Sequence, residues 1–186
     1  MIIGLTGSYC SGKDTVAEYI SKKHGYIHYS LSDVIREMMR EANIKLEREN
    51  FIVFGTKLRE KNGNGILARK ILEKIAIGTK CCITSIRHSE EVKELRKRKD
   101  FILVNINSPQ LLRFKRMQYR KRLGDPNTLE KFVELENKES QVGGSGQQLK
   151  KTADMADINF VNDSNDIVTL KAAVERLFIS INGLGI

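Results

Sequence analysis

No part of this 186-residue chain approaches the run of about 18 apolar residues that a membrane helix requires. A membrane partner is therefore not expected. Cysteine is scarce. Cys10, Cys81 and Cys82, two of them adjacent, make neither a disulfide framework nor a metal-ligand pattern, and three reduced thiols in a cytoplasmic protein are the expectation. The N-terminus lacks a basic region ahead of Ile2-Ile3-Gly4-Leu5, so a cleaved signal is not expected. Internal repeats are missing, and the one low-complexity patch, "QVGGSGQQ" (Gln141 to Gln148), is expected to be a mobile loop between helices.

Hydrophobic residues make up 40% of the chain and charged residues 30%. That balance suits one soluble globular domain with a full core, and the length is too short for two ordinary ones. The net charge of +9 raises the possibility of a nucleic-acid partner. The excess is local, however. "LLRFKRMQYRKRL" (Leu111 to Leu123) holds six basic residues and no acid, and "RKRK" (Arg96 to Lys99) adds four. A phosphate-handling site accounts for the first cluster as well as nucleic acid does, and a solvated helix end accounts for the second.

Short apolar runs alternate with helical periodicity. Ile2 to Thr6, Tyr26 to Leu31, Cys81 to Ile86, Phe101 to Ile106 and Ile158 to Asn162 have the apolar, β-branched character of strands, those around 81 and 101 covered on both faces. A helix from about Gly12 turns Val16, Ala17 and Ile20 inward. "SDVIREMMREA", with Ser32 or Asp33 as cap, places Val34, Ile35, Met38 and Met39 at helical spacing. Phe51 to Ile77 predicts a helical pair broken at "NGNG" (Asn62 to Gly65). "SEEVKELRKRK" predicts another helix, with acids at its start and bases at its end. The last helix aligns Ile167, Leu170, Val174, Leu177 and Ile181. The fold class expected is α/β, doubly wound, with a parallel sheet and right-handed crossovers.

"GSYCSGKDT" (Gly7 to Thr15) leaves the first strand and enters the first helix. Gly7, Gly12 and Lys13 fit the phosphate-loop pattern G-x-x-x-x-G-K-[ST], with Asp14 in the hydroxyl position and Thr15 one place late. Such a turn aims several backbone N–H groups, Ser11 and Gly12 among them, into one concavity that receives polyphosphate, and Lys13 reaches the β and γ oxygens. ATP is the expected ligand. Asp14, or Thr15 in its place, is the candidate Mg²⁺ ligand, since hard cations take oxygen donors. An acid is also favoured in a helix's first turn for its dipole alone.

Arg113, Arg116 and Arg120 are spaced three and four apart, so a helix carries them on one face. Guanidinium groups so arranged can stabilise charge on a transferring phosphoryl group; a solvated basic face is the plainer alternative. Arg122, followed by "LGDP", belongs to a candidate lid.

Taken in order, these segments resemble the nucleoside-monophosphate kinase superfamily, and most closely its archaeal-type adenylate kinase-related and dephospho-coenzyme A kinase-like members. "SDVIR" (Ser32 to Arg36) is similar to the "GDMLR"-type segment of adenylate kinase relatives, which implies that Arg36 holds the acceptor's phosphate. "SIR" (Ser85 to Arg87) resembles the site of their second acceptor arginine, implying the same for Arg87. "LRE" with its glycine-rich turn (Leu58 to Gly65), "EEV" (Glu90 to Val92), "SPQLLRFKRM" (Ser108 to Met117) and "VND" (Val161 to Asp163) complete the likeness. "VND" implies that Asn162 is at the base site. One feature departs from the pattern: the third strand ends Ile83-Thr84-Ser85, where relatives carry an acid that holds Mg²⁺ through water. Asp14 is the candidate replacement.

What the resemblance implies is a three-layer P-loop NTPase fold with a five-stranded parallel sheet. It is one kinase domain over residues 1–186, with an acceptor-binding helical segment at about 31–78 and a lid at about 113–128. ATP·Mg²⁺ would occupy the loop. The acceptor, a small nucleotide, would be held by Arg36, Arg59 and Arg87, and transfer would be assisted by Lys13, Arg116 and Arg120. Asp33 would orient or deprotonate an acceptor hydroxyl. A nucleotide-dependent switch or RNA-associated ATPase is the rival, weakened because only Phe114 and Tyr119 accompany the basic run as stacking rings. A nucleotide binder without turnover is a third reading. Neither the acceptor nor the oligomeric state follows from the residues.

Overall fold

Strand β1 (Ile2–Thr6) is buried along its whole length, because its apolar residues are covered on both faces. Ile2 joins a core containing Leu31, Val34, Met39, Leu67 and Ile83, whereas Ile3 and Leu5 join Val16, Ile20, Val104, Val174 and Ile181. This two-residue alternation divides one strand between two helical layers. A computed structural model describes residues 1–120, 125–141 and 148–184.

In chain order β1 is followed by α1 (Lys13–His24), β2 (Ile27–Ser30), α2 (Leu31–Glu41), α3 (Arg48–Asn62), α4 (Ile66–Lys74), β3 (Cys81–Thr84) and α5 (Ser89–Leu95). The second half runs β4 (Phe101–Asn107), α6 (Gln110–Arg120), α7 (Leu129–Gln141), α8 (Leu149–Ala153), β5 (Ile158–Val161) and α9 (Ile167–Gly183). The sheet has five strands in the order β2-β3-β1-β4-β5, and every pair is parallel. The chain leaves β1 at the middle of the sheet, where the order reverses. Open α/β sheets place their ligand crevice at the carboxyl ends of the strands at such a reversal.

The doubly wound parallel class predicted from sequence is the one observed. Several boundaries differ. α2 starts at Leu31 with Ser30 at the N-cap position, so Ser32 and Asp33 are inside the first turn and not caps. Asp33 instead accepts a hydrogen bond from Arg36 Nη1 at 2.5 Å. α5 stops at Leu95, short of the basic run, because the chain must reverse within a few residues to begin β4, whose Phe101 lies in register with Ile2. Helices α7 and α8 flank the patch expected to lie between helices, though sequence alone sets no bounds for either. Most of "QVGGSGQQ", residues 142–147, lies outside the described residues, as does Arg122 in the proposed lid.

Burial pushes the Cys81 thiol up to about 11 and Cys82 further still, which makes both poor nucleophiles. Among the described residues, no helix is long and apolar enough to cross a membrane.

Candidate functional site: the phosphate loop and its arginines

Between β1 and α1, residues 7–12 form a tight turn. Gly7 has φ +132° and Gly12 +97°, a region that side-chain-bearing residues rarely occupy. Space is also closed to any substituent. A Cβ on Gly7 would stand 2.1 Å from the Ile106 carbonyl oxygen, and one on Gly12 2.4 Å from Asn162 Nδ2. Gly12 then serves as the N-cap of α1, so the positive end of the helix faces the turn. Lys13 folds back over it. Its Nζ donates to the Gly7 oxygen at 2.8 Å, to the Ser8 oxygen at 2.6 Å and to Ser11 Oγ at 3.3 Å. Burial, and secondarily the Arg87 charge, lower its pKa to about 7.

The three arginines of α6 converge on this turn. Arg113, buried, donates from Nε to the Ser108 oxygen at 2.8 Å and from Nη1 to the Tyr9 oxygen at 3.4 Å, and it is ion-paired with Glu136 on α7. Arg116 donates from Nη1 to the oxygens of Cys10 (3.5 Å) and Ser11 (3.4 Å), and from Nη2 to the Ser164 oxygen at 2.7 Å. Arg120 is paired with Asp125, and that hydrogen bond holds its charge against the opposing effect of burial. One helix face thus meets the loop at Tyr9, Cys10 and Ser11, with Arg113 on the Tyr9 carbonyl and Arg120 on its hydroxyl.

Asn162, at the end of β5, is buried beside the loop. Its Nδ2 donates to the Ser11 oxygen at 2.8 Å and its Oδ1 accepts from Arg116 Nη2 at 3.1 Å. A cavity of about 590 Å³ opens next to it, lined among others by Gly12, Thr15, Arg116, Tyr119 and Leu170. Asp14 and Thr15 are both exposed on the first turn of α1. Across the sheet edge β3 gives way to hydroxyls. Ser30 Oγ donates to Ser85 Oγ at 2.9 Å, and Ser85 itself has φ +63°, a left-handed conformation uncommon for a serine.

The other site residues named from sequence are more dispersed. Arg36 is half exposed, against Asp33 and over the Phe51 ring at 5.6 Å. Arg59 is 7% exposed, and its Nη2 donates to Glu91 Oε1 at 3.1 Å. The second oxygen of Glu91 accepts the backbone N–H groups of Arg87 (2.8 Å) and His88 (3.0 Å). Arg87 therefore begins at a fixed point at the end of β3. Tyr9, Ser108, Asp125, Glu136 and Glu91 organise these arginines and were missed from sequence. Only Asp125, five residues beyond Arg120, gave a local signal.

The second basic cluster is largely neutralised. Arg96 pairs with Asp157, Lys97 with Glu94 and Arg98 with Asp100.

A glycine turn over a central parallel strand, with lysine and arginines gathered on it, defines a P-loop kinase fold of the nucleoside-monophosphate kinase type. The fold of a shikimate kinase from Bacteroides thetaiotaomicron is similar at a TM-score of 0.67 and 18% identity, covering 98% of both chains. A dephospho-CoA kinase from Campylobacter jejuni is similar at 0.58 and 16%, covering 100% of this chain and 98% of that one. Residues 3–142 match the family model described as an AAA domain, and a UPF0200 protein of Pyrococcus abyssi is 33% identical over 89% of each chain. The chain belongs to the UPF0200 family of P-loop proteins.

Proposed function

We propose that this protein is an ATP-dependent kinase that transfers the γ-phosphoryl group of ATP to a nucleoside monophosphate or a similar small nucleotide. The observation that carries the reading is the convergence of Lys13, Arg113, Arg116 and Arg120 on one glycine-bounded turn at a helix N-terminus. Kinases acting on small molecules share the fold.

In this reading Lys13 exchanges its carbonyl partners for the β and γ oxygens, while Arg116 keeps the Cys10 and Ser11 carbonyls in place. Arg120 supplies charge to the transferring group. The bond from the γ phosphorus to the β-bridging oxygen breaks, an acceptor oxygen bonds to that phosphorus, and ADP leaves. Arg36 and Arg87 hold the acceptor. A phosphate acceptor is already ionised at neutral pH and needs no base. Catalysis then rests on positioning and charge stabilisation.

Mg²⁺ commonly takes one or two carboxylates together with phosphate oxygens and waters. Asp14 and Thr15, both exposed at the loop's exit, fit that requirement, and the hydroxyls of Thr84 and Ser85 stand where related strands end in an acid. When bound, the ion neutralises charge on the β and γ oxygens.

A hydroxyl acceptor, as for a dephospho-coenzyme A-type reaction, is the second reading. It is favoured by the commitment of Arg59 to Glu91, which leaves fewer guanidinium donors for an acceptor phosphate. The hydroxyl proton would pass to Asp33.

The test is ADP production from ATP·Mg²⁺ against a panel of nucleoside monophosphates and dephospho-coenzyme A, with Lys13→Ala as control. Turnover that depends on one acceptor and is lost in the control is the expected result. Acceptor-independent hydrolysis would favour a nucleotide switch instead.

A further inference from the structure

Tyr9 is the third residue of the phosphate loop, and its side chain is spent on the helices opposite. The ring packs against a separate small core of Phe114, Met117 and Phe132, its centroid 6.4 Å from that of Phe132. The Tyr9 hydroxyl donates to Asp125 Oδ1 at 3.0 Å and accepts from Arg120 Nη2. Arg120 Cζ lies 4.5 Å from the centre of the same ring, within the range of a cation–π contact. Asp125 closes the triangle by accepting from Arg120 Nε at 3.0 Å and Nη2 at 3.1 Å. The tyrosine backbone, meanwhile, belongs to the turn, its carbonyl accepting from Arg113. One residue is thus anchored in the loop and, through ring face and hydroxyl together, at Arg120.

We propose that Tyr9 is a positioning residue for Arg120, setting where that guanidinium stands relative to the terminal phosphate of a nucleotide in the loop. The proposal rests on the kinase reading above. Its physical basis is that a planar guanidinium retains many rotamers unless its fork is fixed, and a ring face, a hydroxyl and a carboxylate fix it from three directions. An arginine so held discriminates between nucleotides that do and do not carry the γ-phosphate.

The experiment is calorimetric titration of ATP·Mg²⁺ and of ADP·Mg²⁺ into four proteins: wild type, Tyr9→Phe, Arg120→Ala and the double variant. Tyr9→Phe keeps the ring and removes only the hydroxyl. It is expected to weaken ATP about tenfold and ADP by less than about twofold, the scale of one charge-assisted hydrogen bond lost at the γ-phosphate. In the Arg120→Ala background the same substitution should cost ATP nothing further. Asp125→Asn, which loosens another corner of the triangle, should act in the same direction. Equal losses on both nucleotides, or a loss undiminished in the Arg120→Ala background, would overturn the proposal and leave the kinase reading standing. Wild-type protein that binds neither nucleotide would overturn both.

Discussion

Arg59 donates to Glu91 at 3.1 Å in a place where neither side chain reaches solvent to any extent, at 8% and 0% side-chain exposure. Glu91 also accepts two backbone N–H groups at the start of α5, whereas Arg59 Nε, buried, has no hydrogen-bond partner among the described residues. The carboxylate is the better satisfied of the two. The pair therefore braces the end of β3, from which Arg87 departs. Replacing Arg59 by Met leaves a buried carboxylate without its counter-charge and should cost about 3 kcal/mol, read as a lower urea midpoint. Acceptor KM at 25 °C should change little, because Glu91 keeps its bonds to the backbone N–H groups of Arg87 and His88. A large rise in KM with undiminished stability would return Arg59 to the acceptor site.

Lys13, with its pKa lowered to about 7, should make nucleotide binding pH-dependent. Phosphate oxygens favour the ammonium form, so above pH 7 binding must take up a proton, and affinity falls as pH rises toward 9. Below about pH 7 the ammonium is already present and its uptake vanishes. Titration at pH 8.5 in two buffers of different ionisation heat measures the proton directly. Zero uptake there would mean that the lysine is already charged before the nucleotide arrives.

Asp14 takes the place of the usual loop hydroxyl, and β3 ends without an acid. Asp14→Asn should raise the Mg²⁺ concentration needed for half-maximal nucleotide affinity by about tenfold, the scale of one charge-assisted contact. Titration of Mg²⁺ at fixed ATP, read by equilibrium binding, checks this. An unchanged Mg²⁺ dependence would assign Asp14 to the helix dipole alone.

Gly12→Ala meets two obstacles, a φ of +97° and a contact of 2.4 Å to Asn162 Nδ2. Loss of ATP affinity by about a hundredfold is expected, corresponding to strain of about 2–3 kcal/mol. Adding Asn162→Ala opens the space but not the dihedral, so the double variant should recover only part of the loss. Full recovery would mean that the steric contact alone matters.

The pairing of Arg113 and Arg120 with acids and the seating of Arg116 on loop carbonyls, together with the pairing of Arg96, Lys97 and Arg98, predict weak binding to RNA despite the positive net charge. At about 150 mM salt, single-stranded RNA should bind no better than about 10 μM, in the range of non-specific electrostatic contacts. Filter binding across salt concentrations tests it. A steep log–log slope together with sub-micromolar affinity would revive the RNA-associated alternative.

The sequence by itself determined the strand–turn–helix at the N-terminus, the parallel sheet and the common face of Arg113, Arg116 and Arg120. Each follows from near neighbours: an apolar run long enough to cross a buried sheet, glycines where φ must be positive, and a helical repeat that returns to one side every three or four residues. What tertiary structure decided is the partner of each charge. Glu91 lies 32 residues from Arg59, Glu136 lies 23 from Arg113 and Asp125 lies 116 from Tyr9. The acid-free run around Arg116 points to phosphate handling and names no partner for its cations. The fold brings acids to two of these arginines from α7 and the turn before it, and brings carbonyls of the loop to the third. Helical periodicity tells which side a residue faces, but what waits on that side is fixed only when distant segments pack, and the cost of burying a charge selects which of them meet.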